Sequence, residues 1–226
     1  MTVCIIPARK NSKRIKNKNI INFNGKPIIY YAINLAKKSK LFSKIVVSTD
    51  CKNIAKISKK YGAEVPFLRS KKLSNDYTSS TEVIVDAIKK ISSDKEKYHC
   101  CIYPTTILTT INDLKKGYNK IRQTKADCLI PITDYNFSPY RSFKVNNKWL
   151  KYLFPYYMNK RSQDLPKLYH DIGSFYFFKT SSIIKKNFSI SKKTTFLKIS
   201  RSRTIDINEY EDLKIAKIYF KNFKKK

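Results

Sequence analysis

Short apolar runs alternate along the chain with longer stretches in which apolar residues recur every three or four positions. The short runs have the length and turn-forming flanks of buried strands, and the longer stretches have the spacing of amphipathic helices. Strands are predicted at 3–6, 45–48, 64–68, 98–103, 127–132, 173–178 and 196–199. Helices are predicted at 27–40, 53–61, 79–91, 111–123 and 207–220. This alternation implies right-handed crossovers and a parallel sheet, and therefore an α/β fold.

Residues from about 133 to 166 interrupt this alternation. They contain a hairpin-like pattern over 143–153, centred on Asn146-Asn147. The aromatic residues that stand out in this insertion are Trp149, Tyr152, Phe154, Tyr156 and Tyr157. Because aromatic side chains are enriched at protein interfaces, the insertion is interpreted as a contact surface.

The length of 226 residues suits one α/β domain, and a hydrophobic content of 42% is sufficient for a large core. No segment approaches the ~20 apolar residues of a membrane span, and the first eight residues are too short for the core of a signal peptide. We therefore expect a cytoplasmic protein. The five cysteines show no C-x-x-C spacing and are expected to be reduced core residues rather than disulfides or zinc ligands.

A formal net charge of +32 raises a second class of function, because nucleic-acid-binding proteins are typically basic. The lysines, however, are spread along the whole chain, and no recognition helix, RNP-like motif or zinc motif accompanies them. Nucleic-acid binding is kept as the alternative, and weak, salt-sensitive adhesion to nucleic acids is expected as a side property.

The loop after the first predicted strand concentrates polar chemistry. Six cations lie between residues 9 and 18, namely Arg9, Lys10, Lys13, Arg14, Lys16 and Lys18. Ser12, Asn17 and Asn19 add hydroxyl and amide groups. In open parallel α/β sheets ligands bind at the carboxyl ends of the strands, where this loop would lie. The loop suits a polyphosphate, and a solvated basic loop is the alternative.

The pattern Ile-Pro-Ala-Arg-x-x-Ser-Lys-Arg-Ile-x-x-Lys-Asn over residues 6–19 resembles the nucleotide-binding signature of the sugar-acid cytidylyltransferases, which activate nonulosonic acids with CMP. Further matches follow in order at 48–50, 65–69, 73–78, 161–166 and 206–207. Residues 100–103 and 169–176 resemble the branch that acts on pseudaminic acid. The resemblance implies a single Rossmann-like nucleotidyltransferase domain over 1–226, with a mostly parallel sheet and the insertion serving as a dimerisation and sugar-site arm.

The implied reaction is attack by the anomeric hydroxyl of a nine-carbon 2-keto sugar acid on the α-phosphorus of CTP, with release of pyrophosphate. By the resemblance Arg9, Lys18 and Asp206 are catalytic candidates. Nucleotide contacts are expected from Ala8, Arg9, Ser12, Lys13, Lys18, Asn19, Thr78 and Tyr103. Simple solvation is the alternative for each surface residue, above all for Lys10, Arg14 and Lys16. Asp50 and Asp76 are expected to organise loops.

The resemblance also implies residues for the sugar acid. Arg161 and Gln163 are expected to bind its carboxylate, because a planar guanidinium matches a carboxylate. An ion pair between Arg161 and Asp164 is the alternative. His170 and Asp171 are expected to bind sugar hydroxyl or N-acyl groups, and a structural role is the alternative for His170.

Mg²⁺ is the expected cofactor, with Asp206 and Asn208 as its candidate ligands. Family members usually have Asp-Ile-Asp where this chain has Asp206-Ile207-Asn208. Either residue could instead cap the last helix. The resemblance further implies a homodimer, and it leaves a sialate or related sugar acid open as the substrate.

Overall fold

The computed structural model describes residues 2–186 and 191–224. Within them the strands are β1 (Thr2–Pro7), β2 (Asn22–Phe23), β3 (Lys26–Pro27), β4 (Lys44–Ser48), β5 (Tyr98–Ile102), β6 (Cys128–Asp134), β7 (Phe143–Asn146), β8 (Trp149–Tyr152), β9 (Tyr169–Asp171), β10 (Phe175–Lys179) and β11 (Thr194–Lys198). The helices are α1 (Ile29–Ser39), α2 (Lys52–Lys60), α3 (Ser80–Lys90), α4 (Ile111–Thr124), α5 (Thr180–Lys186) and α6 (Tyr210–Lys224).

In this part of the chain the main sheet has the order β11-β6-β10-β5-β1-β4, with β9 paired to the end of β6. Strand β1 pairs in parallel with β4 and β5, and β6 pairs in parallel with β11. Strand β10 is antiparallel to both β5 and β6, and β9 is antiparallel to β6. The predicted α/β fold with a mostly parallel sheet is therefore confirmed.

Strands β9 and β10 are antiparallel to the rest of the sheet because of the connection from β6 to β9. Asp134, the last residue of β6, pairs with Tyr169, the first residue of β9. Gly173, with a φ of 61°, lies in the short link to β10, which continues along β6. The chain thus returns beside the strand that it left, without a crossover helix, and antiparallel pairing follows.

The core lies on both faces of β1. Val3 and Ile5 pack in a cluster that includes Ile84 of α3, whereas Cys4 and Ile6 pack in a cluster that includes Ile33 of α1. This alternation is that of a strand covered by helices on both faces. The loop that follows β1 therefore starts from one of the most firmly held elements of the fold.

The predicted strand at 64–68 is wrong. This segment lies beside β4 but pairs with that edge only through two isolated parallel bridges, between Val46 and Glu64 and between Thr49 and Leu68. Pro66 lies between the two bridges and has no backbone N–H to donate, so a continuous ladder does not form.

Gly117 is unfavourable for a helix interior, and close packing explains its presence. A Cβ atom at this position would lie 3.2 Å from a ring carbon of Phe175 and 3.2 Å from one of Phe177. Both rings are fully buried in β10. The glycine therefore allows α4 to approach the sheet closely.

The chain between β6 and β9 leaves the sheet as an arm, residues 135–168. The predicted hairpin is confirmed, because β7 and β8 are antiparallel. Phe143 pairs with Tyr152 at one end, and Asn146 pairs with Trp149 at the other. Trp149 is 70% exposed and Tyr156 is 75% exposed. Among the described residues, none of the helices is both long and apolar enough to cross a membrane.

Candidate active site

A cleft of about 540 Å³ opens where β1 and β5 end and α3 begins. Every residue predicted to bind the nucleotide lines it except Ala8. Ala8 is fully buried, and its backbone N–H donates to the carbonyl of Ser48 at 2.9 Å. This residue extends the pairing of β1 with β4, so the geometry does not support its predicted contact with the nucleotide.

Asp76 organises two cations at the mouth of the cleft. Its carboxylate lies 2.8 Å from Arg9 Nη1 and 2.8 Å from Lys13 Nζ. The hydrogen bond from Lys13, together with the charges of both cations, lowers the pKa of Asp76. Asp50 accepts a hydrogen bond of 2.7 Å from the backbone N–H of Lys10. Both acids therefore hold the loop, as the sequence predicts.

Lys18 is a partly buried cation of the cleft. Its Nζ donates to the carbonyl oxygen of Ile207 at 2.8 Å. Burial lowers the pKa of Lys18; the charge of Asp206 opposes this shift, and those of Arg14 and Arg9 add to it. An anion bound beside Lys18 would stabilise its charged form, so the site is electrostatically suited to phosphate.

Arg14, for which simple solvation was the alternative, is exposed but also has a side-chain partner. Arg14 lines the cleft, and its Nη2 donates to Asn208 Oδ1 at 2.6 Å. Asn208 Nδ2 in turn donates to Asp206 Oδ2 at 2.6 Å. The loop after β1 is thereby connected through side chains to the segment before α6.

Asp206 and Asn208 do not cap α6 with their side chains. The helix begins at Tyr210, and the backbone N–H groups of Asn208 and Glu209 donate to the carboxylate of Asp212 at 2.8 Å. Asp206 lies four residues before the helix, and the amide oxygen of Asn208 accepts from Arg14. Both capping alternatives are therefore wrong.

Among the described residues no group of three or more histidine, cysteine, aspartate or glutamate side chains could hold a metal ion. Asp206 is exposed and lies close enough to Lys18 to influence its pKa. A Mg²⁺ ion at Asp206 would accordingly need further oxygen ligands from a bound substrate or from water.

Tyr103 forms the inner wall of the cleft. Its hydroxyl donates to Ser80 Oγ at 2.6 Å, and its ring meets that of Tyr176 edge-to-face at 5.8 Å. Tyr176 donates to Asp171 Oδ2 at 2.7 Å. Burial raises the pKa of both tyrosines, so both hydroxyls are neutral hydrogen-bonding groups at pH 7. Asp171 is thus separated from the cleft wall by this pair of rings.

Arg69 and Ser80 are among the cleft residues that have no role in the sequence prediction. Arg69 is 6% exposed, and its Nε donates to Ser74 Oγ at 3.2 Å. Ser80 is the first residue of α3 and accepts the hydrogen bond from Tyr103. Arg69 belongs to the family motif at 65–69, and this match could have indicated that Arg69 lies in the site.

The other predicted sugar-binding residues lie outside this cleft. Arg161 and Gln163 are exposed on the arm, and Arg161 Nε forms an ion pair with Asp164 at 2.8 Å, as in the structural alternative. The ring of His170 packs against Tyr135 at 4.7 Å, and His170 lines a separate hollow of about 290 Å³. A single chain therefore does not bring all the predicted substrate residues together.

The mostly parallel sheet with a cationic cleft at its carboxyl edge defines a nucleotide-binding α/β protein. A family model described as cytidylyltransferase matches residues 3–225. The chain belongs to this cytidylyltransferase family. The family resemblance and the predicted enzyme class are therefore confirmed, and the nucleic-acid-binding alternative is set aside.

Individual comparisons agree with the family. A pseudaminic acid cytidylyltransferase of Campylobacter jejuni subsp. jejuni serotype O:23/36 (strain 81-176) is 40% identical, over 97% of this chain and 96% of that protein. A CMP-N,N'-diacetyllegionaminic acid synthase of C. jejuni serotype O:2 is 34% identical, over 95% and 92%. The structure of a CMP:2-keto-3-deoxy-manno-octonic acid synthetase complexed with CTP superimposes with a TM-score of 0.74 over 98% of both chains, at 14% identity, and shows the shared fold.

We predict that Lys18→Ala lowers kcat/KM for CTP by roughly 100-fold or more, because one charge-assisted contact at a transition state contributes about 2.7–4 kcal/mol. Steady-state kinetics with varied CTP measures the effect, and thermal melting tests whether the fold is retained. Lys16→Ala is the matched control, since Lys16 is exposed in the same loop and does not line the cleft. Equal behaviour of the two variants would mean that the loop is only solvated surface.

Proposed function

We propose that this enzyme transfers CMP from CTP to the anomeric hydroxyl of a nonulosonic acid, with pseudaminic acid as the substrate and pyrophosphate as the second product. The carrying observation is the cationic cleft built from the loop after β1 in a chain of the cytidylyltransferase family. The choice of sugar is supported by the 40% identical relative that is named for pseudaminic acid. We assign the reaction to the cytoplasm.

The cations of the cleft provide the chemistry that phosphoryl transfer requires. Such reactions depend on alignment and charge neutralisation rather than on a covalent protein intermediate. Arg9, Lys13 and Lys18 converge on one cavity and would neutralise the charge that develops on the leaving pyrophosphate. Asp76 pairs with two of these cations, so a triphosphate would compete with Asp76 for them.

The nucleoside is assigned to the inner end of the cleft. Tyr103, Ser80 and Val83 provide a less charged wall there, and the raised pKa of Tyr103 keeps its hydroxyl protonated. Asn19 is buried and donates to the carbonyl of Arg9 at 2.8 Å, so it also fixes the shape of the loop. Thr78 also lines the cleft and would provide a further hydrogen-bonding group for ribose or phosphate.

Mg²⁺ is the proposed cofactor, with Asp206 as its protein ligand. The exposed carboxylate of Asp206 fits a hard cation that takes most of its ligands from phosphate and water. When bound, Mg²⁺ would neutralise phosphate charge and polarise the reacting groups. Asn208 Oδ1 already accepts from Arg14, so Asn208 would serve as a second ligand only after this bond is exchanged.

A homodimer is proposed to complete the sugar site. Arg161 and Gln163 lie on the exposed arm, away from the cleft of their own chain. The arm also exposes Trp149 and Tyr156, which suits burial against a second copy. In this arrangement Arg161 would read the carboxylate of the sugar acid in the neighbouring site, while His170 and Asp171 would contact its other polar groups.

We predict that purified enzyme with CTP, Mg²⁺ and pseudaminic acid releases pyrophosphate and forms the CMP-sugar. CTP should be preferred over ATP, GTP and UTP. Pseudaminic acid, N,N'-diacetyllegionaminic acid and N-acetylneuraminic acid should be compared by kcat/KM in the same assay. Equal or faster turnover of either competitor would refute the sugar assignment and leave the cytidylyltransferase reaction intact.

We also predict that Asp206→Asn nearly abolishes turnover and that Asn208→Asp lowers the Mg²⁺ concentration for half-maximal activity. The first change removes the carboxylate that holds the ion, and the second adds a carboxylate beside it. A Mg²⁺ titration of both variants measures these effects. An unchanged half-saturation point in Asn208→Asp would remove residue 208 from the metal site, and an active Asp206→Asn would remove the site altogether.

A further inference from the structure

Asp206 lies on a segment with little regular structure of its own. Residues 201–209 begin with one short turn of 3₁₀ helix, Arg201–Arg203, and continue without helix or strand until α6. A carboxylate on such a segment keeps a defined position only if side-chain contacts hold the backbone. Contacts near both ends of the segment 201–209 join it to the rest of the fold.

Arg203 makes the most extensive of these contacts. Its Nη1 lies 2.5 Å from Asp113 Oδ2, and its Nη2 lies 3.1 Å from Asp113 Oδ1. This bidentate geometry fixes orientation as well as distance. Asp113 is 6% exposed, and it is separated from Arg203 by 90 residues along the chain.

Asp113 is itself held firmly in the first turn of α4. Its Oδ2 accepts from the backbone N–H of Thr110 at 2.8 Å and from the Thr110 hydroxyl at 2.7 Å. Thr110 Oγ1 in turn accepts from the backbone N–H of Asp113 at 3.0 Å, which completes a capping box. Arg203 is thus joined to a helix end whose geometry is already fixed.

The other end of the segment is held at the cleft. Lys18 donates to the carbonyl of Ile207, the residue directly after Asp206. Arg14 donates to Asn208, whose amide donates to Asp206. Asp206 therefore lies between one tether to α4 and a second tether to the loop after β1.

We propose that Arg203 is a positioning residue, which acts through its bidentate ion pair with Asp113 to hold Asp206 toward the triphosphate and its metal ion. This inference rests on the proposed function, because it assigns a purpose to the placement of Asp206. This ion pair is partly buried, so desolvation offsets part of the attraction and the net stability that it provides is small. The bidentate geometry of the Arg203–Asp113 pair, which fixes the direction of the segment, accounts for the pair better than a gain in stability does.

Arg203→Lys tests the proposal, because lysine keeps the charge and loses the planar fork. Partners outside the first coordination shell typically change metal affinity by about 10- to 100-fold when they are altered. We expect the half-saturating Mg²⁺ concentration to rise about tenfold, with most turnover restored at saturating Mg²⁺. We also expect faster hydrogen–deuterium exchange in the peptide covering 201–209, whereas the peptides of β1 remain protected.

Two further variants sharpen the test. Asp113→Asn removes the charge and retains an oxygen that can accept from Thr110, and it should shift the Mg²⁺ titration in the same direction. Arg122→Lys is the control, because the Arg122 guanidinium lies at the far end of α4 over the Tyr118 ring, 5.3 Å from its centroid. This control should match the wild type in both measurements.

Unchanged exchange together with an unchanged Mg²⁺ titration in Arg203→Lys would overturn the proposal. A lower melting temperature and lower turnover without any shift in the Mg²⁺ titration would overturn it as well, because that result describes a purely stabilising ion pair. If the wild-type enzyme fails to form a CMP-sugar, the proposed function fails separately. Exchange in the 201–209 peptide then decides alone whether Arg203 holds the segment.

Discussion

Repulsion between cations is the constraint around which this structure is arranged. Arg9, Lys13, Arg14 and Lys18 line one cleft, in a chain whose formal net charge is already +32. Like charges at such separations repel one another, and partial burial strengthens the effect. Burial lowers the pKa of Lys18, and the charges of Arg14 and Arg9 lower it further, against the opposing charge of Asp206. A site of this kind is stable only if acceptors are arranged around it.

The surrounding structure supplies those acceptors from distant parts of the sequence. Asp76 reaches two cations from the loop before α3, and the segment before α6 offers the carbonyl of Ile207 and the side chain of Asn208 to two others. Each acceptor also leaves the cation facing the cleft. The cations are therefore already positioned for a polyanion. A bound triphosphate would replace these acceptors as the partner of the cations.

The sequence predicts the elements that depend on local chemistry. The strand before the cationic loop, every described helix except α5 and the hairpin of the arm follow from apolar spacing and turn residues, and the structure contains them. The direction of β10 depends on its connection to β6, which no local pattern reveals. The failed strand at 64–68 carries Pro66, whose missing donor outweighed the apolar run. The presence of a helix or strand is thus determined mainly by neighbouring residues in the chain, whereas the direction of a strand is determined by its pairing within the sheet.

Within the site, a motif identified most of the predicted residues that line the cleft, whereas the basic composition obscured the long-range partners of the cations. Arg14 and Arg203 have structural partners far away in the chain, Asn208 and Asp113 respectively. In a chain with 48 lysines and arginines, nothing local distinguishes Arg203 from a solvated cation, and the motif that contains Arg14 does not reveal its partner Asn208. In the proposed homodimer the sugar-binding candidates on the arm would act in the site of a second copy, and a single sequence carries little information about that contact.

The central claim is that the loop after β1 recognises the triphosphate through its own cations. Isothermal titration of the wild-type enzyme with CTP and with CMP, without divalent metal, tests this claim most directly. Hydrogen bonds to charged groups contribute about 1.5–3 kcal/mol each, so CTP should bind at least about tenfold more tightly than CMP. This difference should shrink as salt is added, because screening weakens exposed ion pairs. Equal affinity for CTP and CMP at low salt would contradict the account.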